Sequence, residues 1–185
     1  MNELLQLTLL GSPHIVLGDE ALTNFATHKA QALLFYLAVT GQRHSRDLLA
    51  TLLWDGMTDA QAKKNLRTVL PDLRRQLNGY LQIDRQSLTF QQNMPFWLDV
   101  AVLRRDLGDG KRATDLATRQ AAIDLYRGEF LEGFHVQNAP AFDTWVVQQR
   151  EQLHTLVVEA LFTLVDNYCA SDNYTAALAA NRVDL

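Results

Sequence analysis

Within the stretch KKNLRTVLPDLRR lie Lys63, Lys64, Arg67, Arg74 and Arg75, five cations against a single acid, Asp72. That local balance of +4 sits in a chain whose formal net charge is −4, so the positive charge is placed rather than spread. Grouped lysines and arginines neutralise phosphates, and an arginine or asparagine among them can read a base edge through paired hydrogen bonds. The chemistry these residues offer is docking on a polyanion. The bland alternative is a solvated face of a surface helix. Chemistry that makes or breaks bonds has no foothold: the sequence has no GxxxxGK[ST], no GxGxxG after a strand, no GxSxG and no HExxH. His14, His28, His44, His135 and His154 fall at no metal-ligand spacing. We therefore expect no enzyme, no catalytic residue, no metal and no cofactor.

The element carrying the cations must be a helix. Leu66, Val69, Leu70, Leu73 and Leu77 recur at three- and four-residue spacings and form one stripe. On a wheel of ~100° per residue the opposite side holds Lys64, Thr68, Pro71 and Arg75, with Lys63, Arg67 and Arg74 on a shoulder. Thr58 followed three residues later by Gln61 reads as a capping box at its start. Pro71 removes one hydrogen bond, to the carbonyl of Arg67. Because the leucine seam crosses it, we expect one helix bent near residues 67–71; the alternative is two helices with Pro71 at the first position of the second.

Stepping outward along the chain, Leu5, Leu7 and Leu9 alternate with polar residues as in a half-buried strand, and His14 to Leu17 read as a second that pairs with it. From Thr27, a plausible N-cap, Ala30, Leu33, Leu34 and Leu37 have helical spacing until Gly41. Ser45 caps a second helix with Leu48, Leu49, Leu52, Leu53 and Trp54, stopped by Asp55 and Gly56. The basic helix is the third. After it, Leu81 and Ile83, then Leu88 and Phe90, alternate around an interruption at 84–87, a β-hairpin with Arg85 as the one cation at its tip. Three close helices followed by a hairpin match a winged helix-turn-helix, whose third helix enters the major groove.

The order THKAQALLFYLAV, HSRDLLATLLW, NLRTVLPDLRRQL and then a hairpin resembles the winged-helix domain of the OmpR/PhoB type, as found in the SARP group of bacterial transcriptional activators. Further on, LDVAVLRRDL and DLYRGEFLEGF resemble the start of the bacterial transcriptional activator domain, which is built of TPR-like helix pairs. The resemblance covers essentially the whole chain. It implies that Lys64, Asn65, Arg67 and Thr68 meet base edges and that the loop of Trp54, Asp55, Gly56 and Met57 faces RNA polymerase. Each tryptophan has a competing role as a core plug, and the loop has one as a mere connector.

In the second half, Phe96 to Leu98 read as a short strand returning to the wing sheet before Asp99 caps a helix, and Gly108, Asp109 and Gly110 form a break. A helix over 113–127 buries mainly Leu116, Ala121, Ile123 and Leu125; a loop follows over 128–140. A long helical pattern over 142–169 uses Trp145, Val146, Leu153, Leu156, Val157, Leu161 and Leu164, and the single cysteine, Cys169, is expected as an inert buried thiol. Arg104 and Arg105 read as solvated cations beside Asp106. SDNYTAAL resembles the opening of a TPR second helix, and Leu178 and Val183 left without a neighbouring repeat suggest a truncated chain or a longer parent protein, or a homodimer through the helical domain.

A chain of 185 residues with 48% hydrophobic content suffices for one or two ordinary cores. No apolar run is long enough for a membrane span, and the N-terminus lacks a signal-peptide pattern, so we expect a cytoplasmic protein with no membrane partner. The expected fold class is α+β: a winged helix-turn-helix with small β-sheets over 1–98, then an all-α TPR-like domain over 99–185. The expected function is a sequence-specific activator binding double-stranded DNA and contacting RNA polymerase, with Lys63, Lys64, Asn65, Arg67, Thr68, Arg74, Arg75 and Arg85 on the DNA. The competing reading is a protein-interaction scaffold that keeps the fold without binding DNA.

Overall fold

Leucine alternation at the start of the chain makes strand β1, Leu5–Thr8, with Leu5 and Leu7 wholly buried. The computed structural model describes residues 3–77, 79–108 and 115–170. In it β1 joins a four-stranded sheet with β2 (His14–Leu17), β3 (Glu20–Ala21) and β7 (Phe96–Leu98), in the order β3-β2-β1-β7. The pairing of β1 with β2 matches the sequence. The destination of β7 does not: it runs parallel to β1, Leu5 opposite Phe96 and Leu7 opposite Leu98, instead of returning to the wing. A parallel partner 91 residues away leaves no local signal, which is why spacing alone misassigns it.

The second sheet is the wing. Strands β5 (Leu81–Ile83) and β6 (Ser87–Phe90) form the expected hairpin, and β4 (Arg43–Ser45) pairs on the far side of β6, giving the order β4-β6-β5. Nothing apolar marks β4 in the sequence; it exists because β6 offers it a ladder.

Helix α1, His28–Thr40, begins where Thr27 accepts the Ala30 N–H and ends at Gly41, whose φ of 60° suits a residue without Cβ. Helix α2, Arg46–Trp54, is capped by Ser45, which accepts the Leu48 N–H. Leu48 itself is exposed, contrary to the apolar pattern, because the buried face of α2 runs through Leu49, Leu52 and Leu53. Helix α3, Asp59–Gln76, buries Leu66, Val69, Leu70 and Leu73 against its neighbours α1 and α2. Each fully buried leucine is worth about 1.5 to 3 kcal/mol, so this seam fixes which face of α3 stays outside.

The later helices are α4 (Asp99–Leu107), α5 (Leu116–Ile123) and α6 (Pro140–Ala170). Helix α5 is shorter than expected, starting at the cap Asp115, which accepts the Thr118 N–H. Its register leaves Leu116 and Ala121 exposed and buries Ala122 and Ile123. Along α6 the buried line is Phe142, Val146, Leu153, Val157, Ala160 and Leu164, and Cys169 lies exposed, off that line by more than a third of a turn. The Asp109 and Gly110 break, the SDNYTAAL segment, Leu178 and Val183 lie outside the described residues.

The described residues divide into two compact units. One draws on 1–7, 14–98 and 134–147, the other on 8–13, 99–133 and 148–185. In the first, Phe134 packs edge-on to Phe35, Trp145 packs on Tyr36, and Lys29 donates to the Asn138 carbonyl at 3.3 Å. In the second, Asp99 is 1% exposed and its carboxylate accepts the Leu9 and Leu10 N–H groups at 2.6 and 2.8 Å. This is why β1 stops at Thr8 although Leu9 continues the alternation: the next two N–H groups turn to Asp99. Burial pushes the Asp99 carboxyl above the usual range, and these N–H donors pull against the shift. Of the two arginines expected to be solvated beside Asp106, Arg105 is exposed and pairs with Asp106 at 2.7 Å, whereas Arg104 is half-buried and donates to Gln149. With three helices in succession, a three-stranded wing and helices beyond, the architecture is mixed α+β, a winged helix-turn-helix followed by a helical region.

Candidate nucleic-acid interface

Helix α3 presents its basic side outward as the leucine seam requires: Lys64, Arg67, Thr68, Pro71, Arg74 and Arg75 are exposed, and Lys63 and Asn65 half-exposed. It runs unbroken through Pro71, so the two-helix alternative is not the arrangement found. Only half the capping box forms. Thr58 accepts the Gln61 N–H at 3.4 Å, but the Gln61 amide turns away and donates to Asn65 Oδ1 at 2.9 Å. Asn65 in turn donates to Met57 Sδ at 3.1 Å, which ties an expected base-reading residue to the α2–α3 connection. Arg67 Nε and Thr68 Oγ1 donate to the carbonyls of Lys63 and Lys64, keeping both side chains against the helix.

The cations do not stand alike. Lys63 Nζ is 3.0 Å from Asp47 and 3.7 Å from Asp59, and its hydrogen bond and attraction to Asp47 hold its pKa above the ordinary lysine value. Arg75 is paired with Asp72 at 2.7 Å. Asp72 also accepts the Ala26 N–H at 3.0 Å and the Gln76 amide at 2.9 Å. Burial opposes ionisation there, yet these donors and Arg75 keep its carboxyl below the usual range. The one acid of the basic stretch thus anchors the end of α3 to the segment before α1. Among the described residues Arg46, Lys64, Arg67, Arg74 and Arg85 make no ion pair.

Two clefts flank Arg67. One is lined by Arg46, Arg67, Leu70, Pro71, Arg74, Arg75 and Ile83, between α3 and the wing. The other is lined by Ser45, Arg46, Asp47, Lys63, Leu66, Arg67, Arg85 and Gln86, reaching the hairpin tip. Arg85 is exposed in a turn closed by the Asp84 N–H donating to the Ser87 carbonyl at 2.9 Å. The structure therefore brings Lys63, Arg67 and Arg85 to one concavity and Arg67, Arg74 and Arg75 to the next. Arg46, common to both, escapes sequence reasoning: it lies outside the α3 stripe, and its only local mark is its place beside the cap Ser45.

The α2–α3 connection splits in two. Trp54 is the last residue of α2 and only 5% exposed, with Lys29 Nζ 5.2 Å from its ring centroid and donating to the Leu53 carbonyl at 2.6 Å. Its indole is a core plug and is withdrawn from any partner's reach. Asp55, Gly56 and Met57 are exposed. No group of three or more His, Cys, Asp or Glu among the described residues could hold a metal ion, and no described helix is long and apolar enough to cross a membrane.

Comparison with known proteins adds two matches. Residues 96–182 match the bacterial transcriptional activator domain. Among solved structures, Mycobacterium tuberculosis EmbR in complex with a low affinity phosphopeptide is similar, with a TM-score of 0.63 and 21% identity over 96% of this chain. The chain spans 58% of the length of that EmbR chain. No curated protein matches the sequence. The structural likeness shows a shared fold, and the domain match is confined to the second half of the chain.

Proposed function

We propose that this chain is a SARP-like transcriptional activator that binds double-stranded DNA sequence-specifically through α3 and the wing, and contacts RNA polymerase through Asp55, Gly56 and Met57. The observation that carries the reading is the set of five cations that make no ion pair among the described residues, Arg46, Lys64, Arg67, Arg74 and Arg85, gathered on α3, the start of α2 and the hairpin tip. In a winged helix-turn-helix the third helix lies in the major groove, with the residues of its N-terminal half at base edges. Lys64, Asn65, Arg67 and Thr68 occupy that half here, whereas Arg74 is suited to a phosphate. We divide the chain at 98/99 into a DNA-binding part and an activator part, the latter beginning close to where the domain match begins at residue 96.

Selection of bound duplexes from a random pool tests the reading. Enrichment of one motif, lost when Arg67 is replaced by Ala, is the expected result. An Arg67→Ala cost of about 1 to 3 kcal/mol confined to the selected motif would mark a bidentate base contact. No enrichment would leave the fold as an interaction scaffold.

A further inference from the structure

Three side chains at the start of α3 form a chain of hydrogen bonds: Gln61 Nε2 donates to Asn65 Oδ1 at 2.9 Å, and Asn65 Nδ2 donates to Met57 Sδ at 3.1 Å. A thioether sulfur can only accept, so the Asn65 nitrogen must face Met57; its oxygen then faces Gln61 and takes a donor from it. The two contacts together fix which way both amides point. Gln61 gives up its half of the capping box to make this contact, reaching forward one turn instead of back to Thr58. Gln61 is exposed, Asn65 half-exposed and Met57 44% exposed. Ordering side chains where water could serve each of them returns little stability, so the use of the network lies in what it presents. A side-chain amide has two N–H donors and two acceptor lone pairs; Met57 takes one donor and Gln61 fills one lone pair, which leaves Asn65 with one donor and one acceptor. Adenine shows the complement in the major groove, N7 accepting and N6 donating. Guanine offers two acceptors there, thymine an acceptor and a methyl group, and cytosine a donor.

We propose that Met57 and Gln61 are positioning residues that hold the Asn65 amide for paired hydrogen bonds to one adenine of the bound duplex. This rests on the DNA-binding reading above and deepens it, naming the base that Asn65 reads and the residues that set its amide. Gln61 lies one turn before Asn65 on the same face of α3. Met57 reaches that face from the α2–α3 connection, and its own backbone is fixed, the N–H donating to the Trp54 carbonyl at 3.0 Å. The hold on Asn65 uses only the sulfur, so the exposed part of Met57 remains for the polymerase contact proposed above.

The test measures the full chain on a pool-selected duplex and on copies in which each A·T pair in turn becomes G·C. Thermal melts establish that each variant is folded. At the pair Asn65 reads, the exchange should weaken wild-type binding by about 5- to 150-fold, and Asn65→Ala should abolish that discrimination at that pair alone. Replacing its adenine by 7-deazaadenine, which lacks only the N7 acceptor, should weaken the wild type and leave Asn65→Ala unaffected. Met57→Leu keeps the volume without the acceptor, and Gln61→Ala removes the donor. Each should lower discrimination at the same pair by about 2- to 12-fold, the worth of one hydrogen bond, with other positions unchanged. Neither should lower it further when combined with Asn65→Ala. Unchanged discrimination in either variant, or weakening of every duplex by one common factor, overturns the proposal. So does a selected motif in which no A·T pair depends on Asn65. A wild-type chain that selects no motif removes it together with the DNA-binding reading.

Discussion

Lys63 Nζ lies 3.0 Å from Asp47 Oδ1, so the first cation of α3 is neutralised by a residue of α2. Both side chains are solvent-accessible, and such pairs add little to stability. Their consequence is for recognition. Lys63→Ala should leave the salt slope of DNA binding nearly unchanged, and Asp47→Asn combined with Asp59→Asn, which removes both carboxylates beside Lys63, should steepen it by about one by releasing Lys63 to a phosphate. Parallel salt titrations of both variants check this. A slope flattened by one in Lys63→Ala would mean that the lysine already reaches DNA.

The wing carries one exposed cation at its tip. Arg85→Ala should reduce affinity for selected and random duplexes alike and flatten the salt slope by roughly one, as expected of a phosphate or minor-groove contact. An effect confined to the selected duplex would make Arg85 a base reader.

At the α2–α3 connection the buried and exposed residues call for different experiments. Trp54→Ala should destabilise the fold by about 3 to 5 kcal/mol in urea titration, the usual cost of emptying a buried large aromatic site, since the indole is 5% exposed. Asp55→Ala should bind the selected duplex normally and fail to stimulate transcription by purified polymerase. Full stimulation would reduce the loop to a connector.

Asp99 gives the stability a pH dependence of unusual sign. Its folded-state pKa is raised, chiefly by burial. Its contribution is therefore fully present below the ordinary carboxylate pKa and lost as pH rises through the raised value. Asp72 and Asp106, whose carboxyls are held low, act the other way, contributing above the ordinary range and losing it on acidification. Denaturant titrations of Asp99→Asn should show the decline above the carboxylate range removed. At acid pH the variant should match the wild type closely, because the Leu9 and Leu10 N–H groups share one oxygen of Asp99 and the amide of Asp99→Asn keeps a carbonyl oxygen to accept both. A wild-type decline that persists in Asp99→Asn would assign it to another group.

What the sequence discloses about this molecule is local. Thr27, Ser45, Thr58 and Gly41 mark helix ends because a cap is a contact between near neighbours, and all four sit at helix ends, Thr58 with only its own half of the capping box. The leucine seam of α3 orients its basic face correctly for the same reason. Long-range choices are hidden: β4 has no pattern of its own, β7 pairs with β1 rather than the wing, and Lys63 finds Asp47 on another helix. Arg46 belongs to this second class. Its exposed neighbours in sequence say nothing of a buried nitrogen or of the cleft that Arg46 lines with Arg67, Leu70 and Ile83.

The central claim, that α3 and the wing form a DNA-binding face, is tested most directly by the affinity of the full chain for a pool-selected duplex across a salt series. Five cations on that face make no ion pair among the described residues. At ~0.9 per phosphate, and with Arg67 in part given to a base, log affinity should fall linearly against log salt with a slope of roughly −3 to −4. A slope near zero, or no preference for the selected duplex over a scrambled one, would contradict the account.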